Sequence, residues 1–133
     1  MHSFRHISEV FMLPQQTKKS FDKSLDILNK LEIKVNLFRP PWGIFNPLTY
    51  HYAKLCSCKI VLWSVQALDW SKYVTADFIK QRLVNGVRPG DIILLHDGRG
   101  AKNAPKRTIA ALEAAIPTLK GKGYKFVLAK DLH

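Results

Sequence analysis

At 133 residues, 47% hydrophobic and 23% charged, the chain is long enough to bury a core and has the make-up of an ordinary globular domain. No apolar run approaches the roughly 18 residues of a helical membrane span, so none is expected. The formal charge of +11 permits contact with polyanions, but no Lys/Arg run exceeds two and no aromatics interleave with the cations, so nucleic acid is not the expected partner.

The first six residues, Met1-His2-Ser3-Phe4-Arg5-His6, lack an apolar h-region and hold two histidines. After Pro14, the residues Phe21, Leu25, Leu28 and Leu31 recur on one face of a helix, and Lys34–Phe38 reads as a short strand. Asn46-Pro47 is a cap with a first-turn proline and opens a helix to about Cys56. Cys56 and Cys58 are too close to bridge readily and read as free packing residues. Lys59–Val65 is a near-continuous apolar strand of the kind buried on both faces of a parallel sheet.

Thr75 caps a helix carrying Phe78, Ile79, Leu83 and Val84, which stops near Gly86. Arg88-Pro89-Gly90 is a turn before a buried strand, Asp91–Leu95. A helix carrying Ile109, Leu112, Ile116 and Leu119 is expected to kink at Pro117 and to end at Gly121 and Gly123. Tyr124–Leu128 is the last expected strand. Four strands alternating with helices predict a parallel α/β fold, as a barrel or an open sheet, in one domain over residues 1–133.

Chemistry in such folds collects beyond the C-terminal strand ends. Those ends carry Arg39-Pro40-Pro41-Trp42-Gly43, then Asp69-Trp70, then His96-Asp97-Gly98. Arg39 alone could cap a turn, Asp69 could begin a helix and His96 could be a hydrogen-bonded buried residue. Together they are harder to explain as accidents.

The ordered motifs resemble those of the polysaccharide deacetylases, the NodB-homology or family-four carbohydrate esterases. His2-Ser3-Phe4-Arg5-His6 matches the second motif, H-[S/T]-x-x-H, and Arg39–Gly43 matches the third, R-P-P-x-G. Asp69-Trp70 matches the end of the fourth, and Leu94-Leu95-His96-Asp97 matches the fifth, L-x-H-D. The closing Gly121–Leu128 resembles the family's last helix-to-strand joint. The first motif, T-F-D-D-G, has no counterpart here, since no two aspartates are adjacent. A position often acidic in the fourth motif is Gln66.

The resemblance implies the C-terminal part of a catalytic domain, a partial distorted (β/α) barrel of parallel strands alternating with helices. It implies metal-dependent removal of N-acetyl groups from an aminosugar polymer of peptidoglycan or chitin type. A de-O-acetylase or other amide hydrolase on the same scaffold is the alternative, with a non-catalytic polyanion-binding module as a third reading. By the same resemblance His2 and His6 bind a divalent metal, zinc or a similar ion. On a helical turn their i, i+4 spacing would present both nitrogens to it. The third ligand and the catalytic base are absent with the first motif, so the chain alone is expected to be inactive. His96 is implied as general acid, Asp69 as its partner and Arg39 as the residue orienting the base. The backbone N–H of Trp42 is implied to face the oxyanion, with Trp70 and Leu94 walling the acetyl-methyl pocket. The parent protein would belong to the envelope or be secreted. Open sheet edges would favour self-association.

Overall fold

The computed structural model describes residues 1–98 and 100–132. The chain divides into two compact units, 1–62 and 63–133. Among the described residues no helix is long and apolar enough to cross a membrane.

In the first unit a one-turn 3-10 helix, Glu9–Phe11, leads into α1, Pro14–Lys30. Pro14 suits the first turn, where its missing N–H is no loss, and Gln16 Oε1 accepts the Leu13 N–H at 3.0 Å. The buried face of α1 is Thr17, Ser20, Phe21 and Ser24. β1, Leu37–Phe38, runs parallel to β2, Lys59–Ile60, and α2, Pro47–Leu55, lies between them in sequence. Asn46 caps α2 by accepting the Thr49 N–H at 2.9 Å. The core gathers Phe21, Phe38, Ala53 and Cys58. Both cysteines are free, and burial pushes each thiol pKa upward, which keeps them unreactive.

In the second unit β3, Val65–Gln66, pairs in parallel with β4, Ile93–Leu94. Between them stands α3, Ala76–Gly86, capped by Thr75 Oγ1 accepting the Phe78 N–H at 3.2 Å. Then follows α4, Ala104–Gly121, which runs through Pro117. Ile79 and Leu83 of α3 share a core with Ala111 and Ala115 of α4, together with Ala67 and Val74.

Parallel strand pairs linked through helices are the expected α/β class, in two small sheets among the described residues, neither of them closed. Three details depart from expectation. The expected strand 59–65 is two strands, because Lys59–Ile60 pairs with β1 whereas Val65–Gln66 pairs with β4. Tyr124–Leu128 is not a strand, since no described strand lies beside it to share a ladder. The buried face of α4 is Ala104, Thr108, Ala111, Ala115 and Leu119, while Ile109 is 57% exposed.

Candidate active site

The first unit places His2, His6, Arg39 and Trp42 close together. The Arg39 N–H donates to the Met1 carbonyl at 3.0 Å, so the opening segment lies along the end of β1. His2 Nδ1 sits 2.6 Å from the Arg39 carbonyl. A carbonyl only accepts, so Nδ1 carries the proton and the Nε2 lone pair is left free. Partial burial is the first cause that lowers the His2 pKa; the charges of His6 and Arg39 add to it, and the bond to the Arg39 carbonyl opposes it. The neutral, ligand-competent imidazole is thereby favoured.

The two histidines are not on a helical turn as expected. Ser3 between them takes φ 64, a left-handed conformation that bends the segment. The bend still brings the His2 and His6 rings to 5.0 Å between centroids at 69°. Two imidazoles sharing one tetrahedral ion, with metal–nitrogen bonds of about 2.0–2.1 Å, have centroids roughly 5 Å apart. The separation of the two rings is the one that two imidazoles on a single ion would have. Among the described residues no third His, Cys, Asp or Glu completes the set. His6 also meets the Trp42 ring edge-on at 5.1 Å.

Trp42 lies in a 3-10 turn, Pro41–Gly43, at φ 61, and its side chain is 65% exposed. A bulky residue held left-handed is strained by about 1–3 kcal/mol. The Arg39 Nε is buried and finds no acceptor among the described residues. A guanidinium N–H without a partner is expensive, so this atom calls for a carboxylate or another acceptor.

The second unit holds Asp69 and His96. Asp69 is 1% exposed and follows Leu68, which is left-handed at φ 54. Its Oδ1 is 2.9 Å from His96 Nδ1. Its Oδ2 accepts the backbone N–H of His96 at 2.7 Å and the Thr108 hydroxyl at 3.1 Å. The carboxylate is thus held at once from the segment that follows β4 and from α4. An ionised Asp only accepts, so His96 Nδ1 is the protonated nitrogen and Nε2 is directed away from Asp69, on a ring 37% exposed. This is the arrangement in which a buried carboxylate fixes the tautomer of an imidazole that then exchanges protons through Nε2.

Beside His96 lies a cavity of ≈ 380 Å³ lined by Leu95, His96 and Asp97 and by Pro105, Ile109 and Leu112 of α4. Leu94 is paired with Gln66 in the β3–β4 ladder and is not among its lining residues. Trp70 is 47% exposed, and its carbonyl accepts the Ala101 N–H at 2.9 Å. Gly100 is needed there, because a Cβ would stand 2.8 Å from the Trp70 carbonyl oxygen.

Two contributors escaped the sequence reading. Thr108 anchors Asp69 from the buried face of α4, and its only sequence signal is a polar residue at i+4 from Ala104. Glu9 is fully buried, and neither carboxyl oxygen has a hydrogen-bond partner among the described residues. Burial raises its pKa; the hydroxyls of Ser3 and Thr49 come close enough to oppose the rise.

Comparison with known proteins adds to this geometry. No family model matches the chain. A peptidoglycan-N-acetylglucosamine deacetylase of Bacillus cereus is 39% identical over 98 residues, covering 72% of the chain and 44% of that protein. The peptidoglycan-N-acetylmuramic acid deacetylase PdaA of Bacillus subtilis is 33% identical over 147 residues, covering 98% of the chain and 49% of that protein. Among solved structures, a family 4 acetyl xylan esterase of Clostridium thermocellum in complex with a cobalt ion superposes with a TM-score of 0.83 at 33% identity. That match covers 98% of this chain and 61% of the esterase. The chain thus spans less than half the length of these two curated relatives. Sequence and fold agree, and the chain belongs to the NodB-type polysaccharide deacetylases, the family-four carbohydrate esterases.

Proposed function

We propose that the chain is the part of a metal-dependent deacetylase domain that carries the general acid and two metal ligands. Its substrate class is an N-acetylated aminosugar polymer of the cell wall. The observation that carries this reading is the Asp69–His96 pair, with Asp69 buried and fixed by three donors. In the hydrolysis, water adds to the acetyl carbonyl, the carbon–nitrogen bond breaks, and acetate and a free amine leave. His96 would protonate that amine nitrogen through Nε2 as the bond breaks, while Asp69 steadies the imidazolium. A divalent transition metal, zinc by family resemblance, would be held by His2 and His6 with an anionic ligand from outside the 133 residues, and supplies Lewis-acid polarisation of the carbonyl and of a water. Arg39 would orient the base, whose absence here matches the unpartnered Arg39 Nε. The Trp42 N–H would stabilise the developing oxyanion, and Trp70 and Leu94 would border the acetyl methyl.

Two relatives are peptidoglycan deacetylases, which favours a parent acting at the envelope. The cobalt-bound relative is an acetyl xylan esterase, which supports O-deacetylation as a second reading. The test is acetate release from N-acetylglucosamine oligomers, peptidoglycan and acetylated xylan. It compares the 133-residue chain with a form carrying the T-F-D-D-G strand ahead of His2. The extended form should release acetate only with a divalent metal, and Asp69→Asn should slow it by about 10³-fold or more. The short chain should release a negligible amount. Metal-independent release, or an Asp69→Asn rate equal to the parent's, would overturn the assignment. Xylan turned over in preference to the N-acetylated substrates would select the esterase reading.

A further inference from the structure

We propose that Arg107 is a positioning residue for the general-acid pair, its guanidinium joining the two loops that flank Asp69 and His96. The inference rests on the reading of His96 as the general acid. The first loop runs from Leu68 to Tyr73 and carries Asp69 and Trp70. Ala67 and Val74, at its two ends, lie in the core of the second unit. Between them Asp69 is buried whereas Leu68, Trp70 and Tyr73 are exposed, so apolar packing does little to hold the loop. Hydrogen bonds from residues 101–108 hold it instead. Thr108 Oγ1 donates to Asp69 Oδ2, the Ala101 N–H to the Trp70 carbonyl, and Arg107 Nη2 to the Ser71 carbonyl at 2.7 Å. Asp69, Trp70 and Ser71 are thus gripped one after another. The Ser71 N–H returns to the Leu68 carbonyl at 2.9 Å, so fixing Ser71 also fixes the turn on which Asp69 stands.

The same guanidinium holds the second loop, because Arg107 Nη1 donates to the Lys102 carbonyl at 3.1 Å. That loop follows His96 and enters α4 through Gly100 and Asn103, both left-handed at φ 82 and 64. A lysine has a single nitrogen and cannot span two carbonyls from one rigid plane, so the arrangement is specific to arginine. Arg107 lies outside the apolar core that Ile79, Leu83, Ala111 and Ala115 form. What its fork adds is the relative placement of the loop bearing Asp69 and the loop after His96. That placement brings Asp69 Oδ1 to 2.9 Å from His96 Nδ1.

The experiment compares the native chain with Arg107→Met, Arg107→Lys and Lys106→Met by imidazole nitrogen NMR, at a pH where histidine is neutral. Acetate release is read in the same variants of the form extended by the T-F-D-D-G strand. In the native chain His96 should show a single tautomer, protonated at Nδ1. Arg107→Met keeps the aliphatic stem and loses the fork. It should populate the Nε2–H tautomer of His96 and leave His51 as it was. In the extended form its kcat should fall by about tenfold to a hundredfold with KM little changed, the pattern of a displaced catalytic group. Arg107→Lys, which reaches one carbonyl, should fall between the two. Lys106→Met removes the same charge one residue away and should match the native chain in both readouts. A single Nδ1–H tautomer and native kcat in folded Arg107→Met would overturn the proposal, and so would equal effects from Lys106→Met. Should Arg107→Met not fold, Arg107→Lys must shift the His96 tautomer, and a native signal there would overturn it equally. An extended native form that releases no acetate would defeat the deacetylase reading instead, and the tautomer would still decide the role of Arg107.

Discussion

The buried carboxyl of Glu9 gives the first unit a pH dependence whose sign follows from its raised pKa. The folded state holds the Glu9 proton to higher pH than the unfolded chain does, where the ordinary value is 4.5. Between those two values the folded state binds more protons, so stability falls as pH rises. The contribution is fully present below pH 4.5 and is lost as pH climbs through the folded value. Glu9→Gln removes this group, so the stability difference between variant and native chain should widen in favour of the variant from pH 4.5 upward. Urea midpoints of both chains across pH 4 to 8 check it. A difference that stays flat would mean the carboxyl ionises as it does in the unfolded chain. Asp69 shows the contrasting solution for a buried carboxylate, since donors from His96 and Thr108 surround it, whereas neither Glu9 carboxyl oxygen has a hydrogen-bond partner among the described residues.

At the scale of elements, the helix starts were legible because caps are local chemistry. Asn46 and Thr75 sit where their side chains accept the Thr49 and Phe78 N–H groups, as their positions before each helix predict. The two caps should not be equal in energy. Thr75→Ala removes one hydrogen bond and should cost about 1 kcal/mol. Asn46→Ala removes the cap of α2 and also the donor to the Glu9 carbonyl, so it should cost measurably more. Asn46→Asp keeps the cap acceptor and loses the donor, and should fall between them in chemical denaturation. Equal losses for Asn46→Ala and Thr75→Ala would show that the tie to Glu9 carries nothing. The strands were less legible because a strand exists only through its neighbour. Nothing in Lys59–Val65 says that its two ends pair with different strands, and nothing in Tyr124–Leu128 says that no described partner lies beside it. The face of α4 misled for another reason. Close approach of α3 and α4 selects Ala111 and Ala115 over the larger Ile109, whereas hydrophobic periodicity weights the larger side chain. For the site, the ordered motifs identified Asp69 and His96. Their clamp Thr108 and the bend at Ser3 depend on contacts 39 and 17 residues away in sequence, which no local pattern reports.

At the scale of the whole molecule, two opposed effects set the association state. Phe126, Val127 and Leu128 are 49%, 59% and 62% exposed, in a segment that enters no strand ladder among the described residues. Such a segment is a template for pairing with a second copy. The formal charge of +11 opposes the approach of two copies. Repulsion between solvated charges reaches about 10 Å at 0.1 M salt and about 3 Å at 1 M, whereas apolar contact and strand pairing are not screened. We therefore propose that the chain self-associates and does so more strongly as salt rises. Light scattering after size exclusion should show the mean mass increasing with concentration, and increasing further at 1 M salt. The double change Phe126→Lys with Val127→Lys should return the chain to monomer, because it charges the segment and removes its apolar surface. Association through bound polyanion would have the opposite salt dependence, since added ions compete for the same cations. A mass that falls as salt rises would therefore reassign the contact from the 126–128 segment to the basic surface. A monomer at every salt and concentration would remove the contact altogether.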